Sequence, residues 1–200
     1  MEKVKAVLAS GNKGKIRELQ FRLGDSFELV SQNDLGVIAP EETGLTFLEN
    51  ALLKARSASA QTGLPAIADD SGLAVDYLDG APGIYSARYA GPDATDEKNN
   101  SKLIEALEGV ATESRTAHFH CALVYMRHHL DPTPIIGQAS WQGRILTEPS
   151  GTNGFGYDPL FYAFDQQCAS AELTPEVKNK VSHRGLAIDH LISQLRCNSD

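Results

Sequence analysis

Ala66-Ile-Ala-Asp-Asp-Ser-Gly-Leu-Ala-Val75 joins a small apolar run to two adjacent carboxylates, a hydroxyl and a glycine. Pro65-Ala-Ile-Ala68 is long enough for a buried strand and too short for a helix. Neighbours along a strand point to opposite faces. If extension persists through both acids, Asp69 and Asp70 serve different sides of a sheet, one structural and the other facing a site. Neither can be buried unpaired, because a desolvated carboxylate is costly unless a partner compensates it. Gly72 permits a sharp turn, after which Leu73-Ala-Val75-Asp-Tyr77 alternates as a second strand. Two chemistries suit the acidic pair. One is an Asx turn with both carboxylates capping backbone amides. The other is a divalent metal site at a strand end, since hard cations such as Mg2+ prefer carboxylate oxygen.

Upstream, Val4-Lys-Ala-Val7-Leu-Ala reads as a strand entering Ser10-Gly-Asn-Lys-Gly-Lys15, and Ile16, Leu19 and Leu23 follow at helical spacing. A strand, a glycine-rich turn and a helix aim backbone amides at whatever sits in the turn, which favours phosphate. Lys13 and Lys15 in the first helical turn oppose the helix dipole and ask for an anionic partner. The spacing is neither that of a Walker loop nor that of a dinucleotide fingerprint, and a plain connector is the competing reading. Phe27-Glu-Leu-Val30 is a second strand. Thr46 and Glu49 have capping-box spacing ahead of a helix with an apolar stripe of Leu48, Ala51, Leu52, Ala55 and Ala58, closed by Gly63. Lys54 and Arg56 lie off that stripe and read as solvated charges. Glu41 and Glu42 are either a solvated pair or a carboxylate source for a metal beside Asp70.

Downstream, Gly80 to Gly91 forms a loop of tyrosines and Arg88, a length at which loops are often functional. Thr95 caps a helix through Asn99, Leu103, Ile104 and Leu107. Thr116–Met126 is a long strand on which His118 and His120 share one face, where ordinary packing is the simpler reading than metal binding. Asp131-Pro-Thr-Pro134 turns the chain back into a partner running through Ile135-Ile and Ala139–Leu146. Gly151-Thr-Asn-Gly-Phe-Gly-Tyr-Asp-Pro159 surrounds two aromatics with glycines and ends in a carboxylate, so Phe155 offers a flat face on which a base could stack. Leu160–Phe164 is a further strand. Thr174-Pro opens a helix leading to Ser182-His-Arg-Gly185, and Leu186, Leu191 and Leu195 mark the last helix. Strands alternate with helices, and one consecutive run of strands spans 116 to 164. The pattern implies a single α/β domain over residues 1–200, with a mixed twisted sheet flanked by helices and two lobes around a central cleft.

Two hundred residues with 42% hydrophobic content support a real core. A net charge of −8 argues against nucleic-acid polymers, though not against a small polyanion held in a local basic pocket. Three cysteines without Cys-x-x-Cys spacing suggest neither a disulfide framework nor a zinc site. With no apolar leader or membrane-length run, a cytoplasmic protein without a membrane partner is expected. Cations, acids and an aromatic among the unusual loops are the parts of a nucleotide site.

Six motifs then stand in one order: Ser10-Gly-Asn-Lys-Gly-Lys15, Glu42-Thr-Gly-Leu-Thr-Phe-Leu-Glu-Asn-Ala51, Ala68-Asp-Asp-Ser-Gly-Leu73, Gly80-Ala-Pro-Gly-Ile-Tyr-Ser-Ala-Arg-Tyr89, Gly154-Phe-Gly-Tyr-Asp-Pro159 and Ser182-His-Arg184. Together they resemble the inosine triphosphate pyrophosphatase family, from about residue 4 to residue 196, and its bacterial type most closely. The resemblance implies Mg2+-dependent hydrolysis of ITP, dITP and XTP to the monophosphate and pyrophosphate, and a homodimer. Carried onto this chain, it makes Ser10, Gly11, Asn12, Lys13, Gly14 and Lys15 the phosphate loop, with Lys13 at a variable position. It makes Glu42 (or the adjacent Glu41) and Asp70 the metal carboxylates, and Asp70 the general base. It places Ser71 and Lys54 against substrate, reversing the solvated reading of Lys54. Phe155, Gly156, Tyr157 and Asp158 form the base platform, with Lys178, His183 and Arg184 closing over phosphate and base. Donors aimed at a 6-keto oxygen would disfavour adenine, whose 6-amino group leaves them unpaired. Two rivals accompany this reading: a related pyrophosphatase acting on modified pyrimidine triphosphates, and a non-catalytic nucleotide-binding module.

Overall fold

The computed structural model describes residues 3–197. Its first strand, β1 (Val4–Ala9), sets the architecture through its period of two. Ala6 and Leu8 enter one apolar cluster, whereas Val7 and Ala9 enter another. A strand covered on both faces reads as a near-continuous apolar run, which is why Val7-Leu-Ala carries no polar residue. β1 pairs in parallel with β2 (Phe27–Ser31) and with β3 (Ala66–Val75). The connections are helices α1 (Lys13–Leu23) and α2 (Phe47–Thr62), as parallel pairing requires. Next come α3 (Asp96–Ala106), β4 (Thr116–Met126), β5 (Ile135–Ile145), β6 (Phe161–Ala163), β7 (Cys168–Ala169), α4 (Pro175–Val181) and α5 (His183–Cys197). The sheet order is β2-β1-β3-β4-β5-β6-β7, with β5, β6 and β7 antiparallel to one another in turn. The expected mixed α/β sheet flanked by helices is therefore present.

The chain divides into two compact units, one of residues 1–70, 121–139 and 184–200, the other of residues 71–120 and 140–183. In the first unit, α1 and α5 cover one face of β1, β3 and β4 through Leu19, Leu23, Ala187, Ile188 and Leu191. The other face takes the alanine stripe of α2, Ala51, Ala55 and Ala58. In the second unit, Leu73, Val75, Leu103, Phe119, Trp141, Tyr157 and Phe161 form one core.

Several local expectations need correction. Gly72 does not turn the chain: β3 is one ten-residue strand that runs through it, so the carboxylates lie mid-strand. The Asx-turn reading fails for the same reason. What does end at Ala68 is the pairing with β1, so Asp69 and Asp70 sit just beyond the last paired residue on that side. The loop from Gly80 to Gly91 contains a 3-10 helix, Gly83–Arg88, and its Tyr85, Arg88 and Tyr89 line a surface pocket of about 420 Å3. On α5, Leu186 is exposed and Ala187 and Ile188 take its place in the core. The two-residue strand β7 was too short to carry a pattern.

Candidate active site

The alternation that covers β1 on both faces also separates the two acids of β3. Ile67 belongs to the cluster under α1 and α5, so Asp69, two residues on, faces those helices. Ala66 and Ala68 face α2, and so does Asp70. Asp69 is fully buried and lies 3.0 Å from Lys15 Nζ of α1 and 3.5 Å from Arg184 Nε of α5. Arg184 is itself buried and pairs with Glu18. Burial alone pushes the Asp69 carboxyl up, but Lys15, Arg184 and Lys54 more than reverse this and hold it well below the usual carboxylate range.

On the other face, Lys54 Nζ of α2 lies 2.8 Å from Asp70 Oδ1 and 3.0 Å from Glu42 Oε1. Asn50, fully buried one turn earlier, donates to Asp70 Oδ2 at 3.5 Å and accepts from the Gly44 amide at 2.8 Å. It thereby ties the loop carrying Glu42 to the strand carrying Asp70. Burial lowers the affinity of Lys54 for its proton, yet Asp69, Asp70 and Glu42 together raise it, so the ammonium stays charged. Asp70 is pushed up by burial and by Glu42, against the pull of Lys54 and Lys15.

The glycine-rich turn at residues 10–15 of the first unit is internally bonded. Asn12 caps α1, its Oδ1 accepting from Gly14 N at 2.9 Å and Lys15 N at 3.1 Å, and Ser10 Oγ accepts from Asn12 N. The helix amides expected to face a ligand are thus held by Asn12, and Lys15 is held by Asp69. Gly11 and Lys13 are exposed.

In the second unit, Asp158 anchors the Phe155 loop from inside. Its buried carboxylate accepts from Phe155 N at 2.8 Å, Ser170 Oγ at 2.9 Å and Lys178 Nζ at 2.6 Å. A Cβ on Gly154, at φ +80°, would meet Asp158 Oδ2 at 2.1 Å, so only glycine fits there. Lys178 Nζ also stands 4.8 Å from the centre of the Phe155 ring. Gly156 is gripped at both ends by α3, its amide donating to Asp96 Oδ2 at 2.7 Å and its carbonyl accepting from Asn100 Nδ2 at 2.9 Å. Tyr157 lies in the core, and its hydroxyl, held in the neutral form by burial, donates to Ser86 O at 2.8 Å. His183 is buried and stacks on Phe119, centroids 4.6 Å apart and planes 8° from parallel. Ser71 is half-buried on β3.

The structure thus brings Lys15, Lys54, Glu42, Asp70 and Arg184 together in the first unit, and Phe155, Gly156, Tyr157, Asp158, Lys178 and His183 in the second. The solvated reading of Lys54 is overturned, whereas Arg56 is exposed and donates to the His129 carbonyl. Asp158 and Tyr157 shape their loop from within. Sequence reasoning missed Glu18, Asn50, Asp96, Asn100 and Phe119. Glu18 stands three residues after Lys15 on the same helical face, a spacing that was available to be read; the others act across long separations that leave no local mark. His118 pairs with Asp76 at 3.2 Å, and Ser140 Oγ lies 2.7 Å from His120 Nδ1, so the histidine face is occupied by ordinary partners.

No group of three or more His, Cys, Asp or Glu side chains suited to a metal occurs among the described residues. The pair that does occur still fits Mg2+, which commonly uses one or two carboxylates and fills its octahedron with water and phosphate oxygen. Glu42 and Asp70 each direct an oxygen at one shared cation, here the lysine ammonium. No helix among the described residues is long and apolar enough to cross a membrane.

The Ham1 family profile matches residues 6–194. A dITP/XTP pyrophosphatase of Escherichia coli (strain K12) is 58% identical over 193 residues, covering 96% of this chain and 98% of that protein. The dITP/XTP pyrophosphatase of Vibrio parahaemolyticus serotype O3:K6 is also 58% identical, with 96% of each chain covered. A HAM1 protein structure from Coxiella burnetii superposes with a TM-score of 0.89 at 48% identity, covering 96% of this chain and 98% of that one. The Staphylococcus aureus Ham1 protein gives 0.86 at 37% identity, covering 97% and 99%.

Proposed function

The chain belongs to the Ham1 family, and from that premise we propose that it hydrolyses deaminated purine nucleoside triphosphates (ITP, dITP and XTP) to the monophosphate and pyrophosphate. The observation that carries the reading is the convergence of Glu42 and Asp70, from a loop and a strand, on one ammonium at 3.0 and 2.8 Å. The names of the Escherichia coli and Vibrio relatives supply the substrate class.

On this reading Glu42 and Asp70 hold Mg2+, which when bound neutralises charge on the anhydride and makes water more acidic. Asp70 is the general base. Its carboxyl, raised by burial, is well matched to accept a proton from attacking water. Lys54 offers positive charge to the phosphates beside that carboxylate. Lys15 keeps Asp69 neutralised, so the inner acid stays a fixed support of the strand and does not compete for the water. Asn50 fixes the distance between the Glu42 loop and Asp70, the preorganisation on which electrostatic stabilisation depends. Base recognition is assigned to Phe155 and His183 of the second unit, with Gly156 held by Asp96 and Asn100 and the imidazole held by Phe119. Homodimer formation and a cytoplasmic setting belong to the same proposal, on the strength of family membership.

Incubation with ITP, dITP, XTP, ATP and dTTP, each with Mg2+, followed by chromatography of products, tests the proposal. The expected result is monophosphate and pyrophosphate from the first three nucleotides. Preferential turnover of dTTP, or binding of ITP with no product, overturns it. Asp70→Asn is expected to bind ITP and fail to turn it over; near-wild-type turnover removes Asp70 from the base role.

A further inference from the structure

The place proposed for a divalent metal already contains a cation. Lys54 Nζ touches one oxygen of Glu42 and one of Asp70, at ion-pair distances of 3.0 and 2.8 Å. Its side chain is only 14% exposed, so the contact is shielded from solvent and from salt. Asn50 donates to the other oxygen of Asp70, which fixes how that carboxylate turns toward the lysine. A metal joining the same two carboxylates would stand about where the ammonium stands. Two cations cannot share that position, because a monovalent and a divalent charge a few ångströms apart repel strongly in a shielded site.

We propose that Lys54 is a resident counter-cation that holds Glu42 and Asp70 together in the metal-free protein and is displaced when a divalent metal binds, freeing its ammonium for the phosphates of the substrate. The inference rests on the assignment of the metal to Glu42 and Asp70. It gives the lysine two successive partners, carboxylates first and phosphate afterwards. It also explains why Asp70 can be buried beside the half-buried Glu42 before metal arrives: the acids are never left facing each other without positive charge between them. Free metal must compete with a covalently tethered cation, so it binds weakly alone. A metal arriving with a nucleotide compensates, because the triphosphate supplies a new anionic partner for the expelled ammonium. The lysine therefore couples metal affinity to nucleotide binding without any other moving part.

Binding of Mn2+ to the nucleotide-free full-length chain, followed by the paramagnetic resonance of the unbound ion, tests the displacement directly. Lys54→Met removes the competing charge and keeps the length of the side chain. The expected result is Mn2+ binding about tenfold tighter than in the unaltered chain, since even a modest relief of charge repulsion exceeds one power of ten in affinity. Glu42→Gln in the same assay is expected to weaken Mn2+ binding by about tenfold. A Kd for Lys54→Met unchanged or weaker, with Glu42→Gln still weakened, overturns the displacement while leaving the metal assignment standing. Unchanged binding in Glu42→Gln overturns both. The unaltered chain supplies a second readout, should Lys54→Met fail to fold. Acetylation of Lys54 by an N-hydroxysuccinimide ester, quantified by peptide mass spectrometry, is expected to quicken when Mg2+ saturates the site. A rate that stays the same or slows with Mg2+ overturns the proposal.

Discussion

Lys178→Met separates two roles for a lysine that the family resemblance assigns to substrate and the structure places inside the protein. Its side chain is 7% exposed and that of Asp158 is 4% exposed, with the ion pair closed at 2.6 Å. Removing one partner of a buried pair costs about 3–5 kcal/mol, because the other charge is left uncompensated. Asp158 keeps two donors, Phe155 N and Ser170 Oγ, at 2.8 and 2.9 Å. Donors to a charged group retain part of its solvation, so the expected loss is about 3 kcal/mol, the lower end of that range. For a chain of this size that corresponds to a Tm lower by about 6–12 °C. Trp141, the single tryptophan, is buried in the same unit, so its fluorescence during urea unfolding reports the loss where it occurs. Asp158→Asn combined with Lys178→Met should recover a large part of the stability, since the double variant buries no charge. A Lys178→Met chain within about 0.5 kcal/mol of the unaltered one, or strictly additive losses in the double variant, would refute the anchoring role.

Two further outcomes follow from the same kind of reasoning. Burial, and secondarily His118, lower the pKa of His120, so below about pH 6.5 the unfolded chain takes up a proton that the folded chain resists. Its contribution is therefore a loss of stability as pH falls through that value, and His120→Gln should flatten the decline of Tm between about pH 6.5 and 5; an unaltered slope removes His120 as its source. In the first unit, a Cβ on Gly137 of β5 would meet Ala187 O at 2.2 Å and Leu191 N at 2.8 Å, both backbone atoms of α5. Gly137→Ala should destabilise by more than the usual 1–3 kcal/mol of an overpacked core, and a loss under about 1 kcal/mol in urea unfolding would contradict that close approach.

How much of this was legible depended on the range over which the cause acts. The caps of α2, α3 and α4 were written locally, and Thr46 with Glu49 forms the capping box its spacing implies. The placement of Asp69 and Asp70 on opposite faces of the sheet was legible because alternation is a property of any strand. Gly72 misled because a glycine's freedom to turn is local, whereas β3 neighbours the eleven-residue β4, and a long partner strand outweighs that freedom. The amides at the start of α1 looked available because nothing in Ser10–Lys15 says which side chain will take them; the fold gives them to Asn12. Motif resemblance selected Lys54 where periodicity had discarded it. Neither showed that Lys54 bridges two carboxylates, since its partners lie 12 and 16 residues away.

The contrast between the acids of β3 also bears on the proposed metal site, and here charge balance is more informative than residue type. Asp69 and Glu18 face Lys15 and Arg184, two anions against two cations, with Asp69 and Arg184 deep in the first unit. Asp158 faces Lys178, one against one, in the second. Such balanced sets have no remaining charge with which to attract an ion, and admitting one would mean breaking a buried pair. Glu42 and Asp70 both face Lys54 at ion-pair distance, two anions on one cation, and the proton affinity of Lys54 is raised by its acidic neighbours while that of Asp70 is raised chiefly by burial. An unbalanced cluster can be relieved by a proton or by a cation, and these are the two things that water activation beside a triphosphate requires. Two chemically identical side chains, adjacent in the chain, thus stand in different charge environments because alternation sends one toward two cations and the other toward a shared one. Moving the balance is the decisive perturbation. Asp69→Asn should leave Lys15 and Arg184 in excess and cost stability of about 3–5 kcal/mol, while Asp70→Asn should cost far less and remove turnover instead. If Asp69→Asn proves the milder change in unfolding and the more damaging in turnover, the assignment of the two acids is reversed.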